Sequence, residues 1–111
     1  MAECVRLVAS YGDPPTEAGE RMFYIYILRS ARDNKLYIGK TKDLRARIRQ
    51  HNNGEVFATK GRRPLKLIYY EAFVNKVDWS KEEIFLKSGI GREVLRHRLP
   101  ETLTKEFGEV A

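Results

Sequence analysis

Six consecutive residues, Phe23 to Leu28, are all aromatic, isoleucine or leucine, and this run limits what the chain can fold into more than any other feature. Such residues favour a strand, and a run this short falls well below the roughly 20 residues that cross a bilayer. The polar stretch Arg29–Lys35 follows, with the turn-forming pair Asp33-Asn34 inside it. Residues 36–39 then read as a second strand that ends in a glycine. The sequence therefore predicts an antiparallel hairpin at the centre of the fold.

An amphipathic helix is predicted directly after the hairpin. Thr41 or Asp43 can cap its start, and it extends to about Asn53, with Gly54 suited to the C-terminal cap. The stripe that should face the core contains Leu44, Arg47, Ile48 and His51. An arginine that points inward needs a carboxylate, a phosphate or another partner. Spacing alone favours the alternative, in which Arg47 lies at the edge of the stripe and extends its head into water.

The remaining chain adds one strand and two helices. We expect Glu55–Pro64 to be an irregular loop, since Gly61 and Pro64 break regular structure. The predicted elements after it are a strand at 65–73, a helix at 77–88 and a short helix at 91–99 that Pro100 stops. The fold class is therefore α+β, with a small three-stranded antiparallel sheet flanked by about three helices. We divide the chain into a flexible N-terminal extension (1–21), one domain (22–99) and a loosely held C-terminal tail (100–111).

Positive charge is concentrated in one part of the chain. The net charge is +6, but residues 1–21 carry −2, so the rest carries +8. Between Lys40 and Lys66, nine basic residues face only Asp43 and Glu55. This distribution is typical of a surface that binds a polyanion, although a solvated basic surface is the alternative. The candidate phosphate contacts are Lys42, Arg45, Lys60, Arg62, Arg63 and Arg92.

Other classes of protein fit the sequence poorly. No apolar run is long enough to span a membrane, and Met1–Tyr11 lacks the apolar stretch of a signal peptide, so we expect a cytoplasmic protein. The single cysteine, Cys4, cannot form an internal disulfide, and no cysteine and histidine have zinc-ligand spacing.

The motifs together resemble a known family. Tyr24-Ile25-Tyr26, then Tyr37-Ile38-Gly39, then an arginine ten residues after Tyr37 are similar to the GIY-YIG nuclease domain. The resemblance covers about residues 22–99 and is greatest to the small, stand-alone bacterial type. Tyr24 occupies the position of the first glycine in the family name, a substitution that occurs among those small members.

The resemblance implies an active site and a metal. The residues that it assigns to catalysis are Tyr26, Tyr37, Lys40, Arg47, His51 and Glu83. In that assignment Glu83 holds one Mg²⁺ or Mn²⁺ ion, and Arg47 pairs with the scissile phosphate. Either Tyr26 or Tyr37 takes the proton from the attacking water, and His51 orients the other groups.

Several of these residues have structural alternatives. Tyrosines are common in strands, Lys40 could be a surface lysine, and His51 could simply lie at a helix end. Glu83 could close a capping box with Ser80 or pair with Lys87, unless the helix starts earlier, at Asn75 or Asp78. Leu95 lies where several nucleases of the family carry an asparagine.

The expected function is that of a metal-dependent endonuclease that hydrolyses phosphodiester bonds in DNA, with RNA left open. A small domain has little surface for reading a long sequence, so we expect selectivity for branched, flap or single-stranded DNA, with a role in repair or recombination. The alternatives are a nucleic-acid-binding module without catalysis and a nuclease subunit that needs a protein partner or a second copy of itself.

Overall fold

The central element is strand β1 (Phe23–Ser30), which lies between β2 (Leu36–Thr41) and β3 (Leu65–Phe73) in an antiparallel sheet of order β2-β1-β3. The computed structural model describes the backbone of residues 22–107 and the side chains of residues 22–103. Tyr26 of β1 lies opposite Gly39 on β2 and Tyr70 on β3. Because helices cover both faces of the sheet, side chains on both sides of β1 are buried, which accounts for its unbroken apolar sequence.

Helix α1 (Leu44–Asn52) covers one face of the sheet, and the remaining helices cover the other. These are α2 (Lys76–Lys87), α3 (Gly89–Arg98) and α4 (Pro100–Phe107). The core beneath α1 contains Tyr24, Tyr26, Leu28, Leu44, Ile48, Leu65 and Tyr70. The core on the opposite face contains Ile25, Ile27, Ile38, Trp79, Leu86, Leu95 and Leu103. The predicted α+β class and three-stranded antiparallel sheet are confirmed.

The ends of the helices follow their predicted capping residues. Asp43 accepts a hydrogen bond from the Ala46 amide at 3.1 Å and so caps α1, while Gly54 adopts a positive φ of 80° just after it. Helix α2 is capped by Asn75, whose side chain accepts from the amides of Val77 and Asp78. The capping box from Ser80 is therefore not formed, and Glu83 lies in the interior of the helix.

Two predictions about regular structure were wrong. The expected loop at 55–64 contains a 3₁₀ helix, Phe57–Arg62, because Val56 and Thr59 are both buried and the Thr59 amide bonds to the Val56 carbonyl. The expected loose tail begins with α4, because Leu103 is 2% exposed and belongs to the core. Pro100 therefore opens a new helix as well as ending the previous one.

Some of the expectations concern residues that the structure does not describe. The predicted N-terminal extension and Cys4 lie outside residues 22–107. Within the described range, no helix is both long and apolar enough to cross a membrane.

Candidate active site

The hydroxyl of Tyr26 is the centre of a buried polar cluster on the α1 face of the sheet. Tyr26 is 1% exposed, and its oxygen lies 2.8 Å from Nε2 of His51. Nε of Arg47 donates to the same oxygen at 3.3 Å. On the far side of the imidazole, Nδ1 of His51 lies 2.7 Å from Oγ1 of Thr59. These contacts connect the central strand, helix α1 and the 3₁₀ helix through side chains alone.

Both ring nitrogens of His51 take part in the cluster. Nε2 shares a hydrogen bond with the Tyr26 hydroxyl, and Nδ1 shares one with the Thr59 hydroxyl. In the neutral imidazole, one of these nitrogens donates and the other accepts. His51 is fully buried with both nitrogens bonded, so it is more than a helix-terminal histidine.

Arg47 has the partner that its place on the helix stripe required. Its side chain is half-buried at the edge of the stripe, where Nε bonds to Tyr26 and Nη1 donates to Oε1 of Gln50 at 3.0 Å. Among the described residues, these bonds leave both N–H groups of Nη2 and the second N–H of Nη1 available to a ligand. Each of the two sequence interpretations is therefore right in part. Arg47 lies at the edge of the stripe, but its guanidinium is bonded to the cluster.

Gly39 makes room for the Tyr26 ring. A Cβ atom at position 39 would lie 2.4 Å from the Tyr26 hydroxyl oxygen and 2.5 Å from its Cζ. Gly39 pairs directly with Tyr26 across the β1–β2 ladder. A glycine at this position is therefore a requirement of the cluster.

Tyr37 lies beside the cluster and is more exposed than Tyr26. Its ring centroid is 5.1 Å from that of His51 and 6.4 Å from that of Tyr26. The two tyrosines share one side of the sheet. Since Tyr37 is only half-buried, its edge of the cluster faces solvent.

Burial sets the protonation states of the cluster. Loss of solvation, and secondly the nearby positive charge of Arg47, lower the pKa of His51 to about 4, so the imidazole is neutral at pH 7. Burial raises the pKa of Tyr26 above its usual value despite the opposing effect of Arg47. Tyr26 is therefore a protonated hydroxyl in the folded protein at neutral pH.

The buried neutral histidine predicts a pH-dependent stability. An unfolded histidine has a pKa of about 6.5. Between that pH and about pH 4, the unfolded chain therefore binds a proton that folded His51 does not bind. Its contribution is fully present above pH 6.5 and is lost as the pH falls. We expect the free energy of unfolding of the wild type, relative to that of His51→Gln, to decrease by about 3 kcal/mol between pH 7 and pH 4.

Urea denaturation of both proteins across this range measures the effect. The comparison is needed because burial and the neighbouring Glu82 raise the pKa of Glu71 to about 7, which contributes stability with the opposite dependence on pH. The Glu71 contribution is present in both proteins and cancels in the difference. A difference that does not change with pH would show that His51 is not held neutral.

Lys40 and Glu83 lie with helix α2 rather than in this cluster. The Lys40 ammonium is 4.8 Å from the ring centroid of Trp79, whose Nε1 donates to the Tyr24 carbonyl at 2.8 Å. Glu83 lies one turn after Trp79 on α2 and forms an ion pair with Lys87 at 2.5 Å. The structure thus joins three of the six predicted catalytic residues by hydrogen bonds, places Tyr37 beside them and places the other two with α2.

Thr59 is the functional candidate that sequence reasoning missed, and Gln50 is a second contact that it did not name. Thr59 is completely buried although the sequence around it is polar and basic. The only signal in the sequence is its spacing of three residues from Val56, which puts both on one edge of a 3₁₀ helix. That signal has meaning only once the 3₁₀ helix is known.

The predicted phosphate contacts are exposed, with the exception of Arg62. Lys42, Arg45, Lys60 and Arg63 are exposed around α1 and the 3₁₀ helix, and Arg92 is exposed on α3, across the sheet. Arg62 is half-buried, since Nε bonds to Oδ2 of Asp33 at 3.1 Å and its carbonyl accepts from Ser30 Oγ. Arg62 therefore fastens the 3₁₀ helix to the β1–β2 turn.

Comparison with known proteins places these residues in a family. Residues 22–90, more than half of the chain, match the model of the GIY-YIG catalytic domain. The chain belongs to the GIY-YIG family. The match contains every residue of the Tyr26 cluster as well as Lys40 and Glu83. Membership implies a nuclease domain with a nucleic acid as its substrate.

Similar chains are small bacterial proteins. UPF0213 protein CPE1444 of Clostridium perfringens is 45% identical over 67 residues, which are 60% of this chain and 71% of that protein. The UPF0213 protein in the ldhD 5′ region of Pediococcus acidilactici is 38% identical over 88 residues, which are 77% and 86% of the two chains. Another, from Pediococcus pentosaceus, is 47% identical over 66 residues, covering 59% and 68%. No solved structure matched this chain. The predicted resemblance to small stand-alone GIY-YIG proteins is confirmed.

The family implies a divalent metal, and the residues of this GIY-YIG domain can be tested for it. Within the described residues, no group of three or more histidines, cysteines or carboxylates could form a metal cage. A single carboxylate still fits Mg²⁺, which keeps several waters and is commonly held by one or two carboxylates with substrate phosphates. Glu83 offers such a carboxylate if its ion pair with Lys87 opens. Leu95, at the family's asparagine position, is instead a core residue with 1% exposure.

Proposed function

We propose that this GIY-YIG domain is a metal-dependent endonuclease that hydrolyses phosphodiester bonds in DNA. The observation that carries the proposal is the guanidinium of Arg47, held against the Tyr26 hydroxyl by a buried network. Burying a histidine, a tyrosine hydroxyl and a threonine costs solvation that apolar residues would avoid. A cluster of this kind at the edge of a basic surface suits an enzyme better than a scaffold.

In this proposal Arg47 binds the scissile phosphate. Its fixed Nε and Nη1 set the plane of the guanidinium, and Nη2 is directed to a phosphate oxygen. The charge that develops on the phosphoryl oxygens in the transition state then meets a cation that needs no reorientation. Lysine could not replace it, because an ammonium cannot bond to Tyr26, Gln50 and a phosphate in one plane.

The two tyrosines take different roles. Tyr26 is hydrogen-bonded to His51 and stays protonated because its pKa is raised, so it cannot take up a further proton and serves to position Arg47. Tyr37 is half-buried beside His51, where water can reach it. We therefore assign to Tyr37, once its own hydroxyl proton has passed to solvent, the removal of the proton from the attacking water. His51 and Thr59 keep Tyr26 in place.

Glu83 is the residue that would hold one Mg²⁺ or Mn²⁺ ion, together with water and the substrate. A bound ion of this class stabilises negative charge on the phosphate and on the leaving oxygen. Lys40, over the Trp79 ring on the same side as α2, adds positive charge near the DNA backbone. Loading of Glu83 requires its partner Lys87 to move away.

The proposed selectivity is for DNA shape. The candidate contacts are lysines and arginines, which bind phosphates and carry little sequence information. Branched, flap or single-stranded DNA are the substrates that we propose, in repair or recombination. A binding module without catalysis, or a subunit that needs a partner, is the second candidate, and the ion pair that occupies Glu83 favours it.

The proposal is tested with end-labelled single-stranded, duplex, flap and branched DNAs in Mg²⁺, Mn²⁺ or EDTA. We expect cleavage only with metal, and we expect Glu83→Gln to lose at least about 100-fold in rate, the scale of losing a group that stabilises the transition state. Glu93→Gln is the matched control, because Glu93 is an exposed carboxylate paired with Arg96 on α3. Binding of DNA without cleavage under any condition would favour the second candidate.

A further inference from the structure

Phe57 is the most exposed large hydrophobic side chain in the described part of the chain. It is 94% exposed at the start of the 3₁₀ helix. Neither the core nor the buried cluster includes it, so its ring is available to a ligand.

The segment that carries Phe57 is firmly anchored. Its neighbour Val56 is buried, and Thr59 is fully buried with its hydroxyl on His51. At the other end of the 3₁₀ helix, the carbonyl of Arg62 accepts from Ser30 Oγ at 2.7 Å. The ring is thus presented from a fixed backbone, and the opposite edge of the same helix is bound to the active-site cluster.

A basic side chain lies beside the ring. Residues three apart in a 3₁₀ helix lie on the same edge, so Lys60 shares the outer edge with Phe57, as Thr59 shares the inner edge with Val56. Lys60 is exposed as well. An aromatic face for a base, next to a cation for a phosphate, is the combination with which proteins hold single-stranded nucleic acid.

We propose that Phe57 stacks on an unpaired base of the substrate while Lys60 contacts the adjoining phosphate. The inference rests on the proposed function and narrows it, since the substrate must then have an unpaired nucleotide close to the bond that is cut. Bases inside a continuous duplex have their faces covered by their neighbours and cannot occupy this position. Flaps, gaps and single strands can.

Binding measured in EDTA tests the stacking without any need for catalysis. The probes are a fluorescein-labelled single-stranded DNA of mixed sequence, the duplex of the same sequence, and single strands with one abasic site at each successive position. We expect Phe57→Ala to weaken binding of the single strand by about 10-fold or more, on the scale of one base–aromatic stack, and to leave duplex binding unchanged. Phe57→Trp should retain the affinity.

The abasic strands provide the sharper comparison. In the wild type, one abasic position should lower the affinity about as much as Phe57→Ala does, and the variant should be insensitive to that position. Ile90→Ala is the matched control, because Ile90 is also exposed, at 72%, but lies on α3. It should bind every probe like the wild type.

The outcomes separate this inference from the proposed function. If both proteins cleave DNA and Phe57→Ala binds the single strand with the wild-type affinity, the stacking role alone is overturned. A change in self-association instead, measured by sedimentation, would assign the ring to an interface between copies and also overturn it. Failure to bind any of the DNAs would contradict both the stacking role and the proposed function.

Discussion

Replacing Arg47 with alanine is expected to reduce the single-turnover rate of DNA cleavage by about 10²–10³-fold, the usual effect of removing one donor that stabilises a transition state. Tyr26 and Gln50 already orient the guanidinium, so it stabilises the transition state without having to reorient during the reaction. Arg47→Ala removes this stabilisation. Affinity for DNA should fall much less, because exposed lysines and arginines remain on the basic surface. Rates at saturating enzyme and affinities from anisotropy measure the two effects separately.

Arg49→Ala is the matched control for this prediction. Arg49 lies on the same helix and has the same charge, but it is exposed, two residues along from Arg47. Its loss should weaken binding slightly and leave the single-turnover rate unchanged. Arg47→Lys should stay close to Arg47→Ala, since an ammonium cannot reproduce the planar contacts. Equal losses of rate in the position-47 and position-49 alanine variants would mean that only the total charge matters.

Gly39→Ala is expected to damage both the stability and the activity of the protein. The new methyl group would lie 2.4 Å from the Tyr26 hydroxyl oxygen, so the ring must move. Overpacking of this kind costs about 1–3 kcal/mol in the free energy of unfolding. Moving the hydroxyl also breaks its bonds to His51 and Arg47, which leaves buried polar atoms unpaired and the guanidinium without its support.

Urea denaturation and single-turnover cleavage measure the two consequences of Gly39→Ala. Gly89→Ala is the control, because a Cβ atom at position 89 meets nothing within 4 Å. It should unfold and cleave like the wild type. Full activity in Gly39→Ala would show that the position of the Tyr26 hydroxyl is not required for catalysis.

Most of the fold could be predicted because the local signals agree with one another. The run 23–28 is apolar at every position and became the central strand, buried on both faces. Asp43, Gly54 and Asn75 mark helix ends through side-chain hydrogen bonds or backbone conformation, which depend on few residues. The 3₁₀ helix and α4 were missed because they depend on tertiary burial of Val56, Thr59 and Leu103, which local pattern does not reveal.

The site was predictable only in part, for a similar reason. Arg47 and His51 could be identified because a cation and an imidazole interrupt an apolar helix stripe. Thr59 could not, because one threonine in a polar segment carries no pattern, and its contact with His51 arises only when the 3₁₀ helix folds back on α1. The role of Gly39 needed the strand register, which sets it opposite Tyr26. For Glu83, the sequence left open where the helix starts and whether the carboxylate pairs with Lys87. In the structure, Asn75 caps the helix and Glu83 forms the ion pair with Lys87.

The most direct test of the central claim is cleavage of end-labelled flap and single-stranded DNA by the purified wild type and Arg47→Ala, in Mg²⁺ and in EDTA. Denaturing gels should show discrete shorter products with the wild type in Mg²⁺, none in EDTA and almost none with Arg47→Ala. Products that persist in EDTA or with Arg47→Ala, or DNA that is bound but never cut, would contradict the assignment of this cluster as the active site of a metal-dependent nuclease.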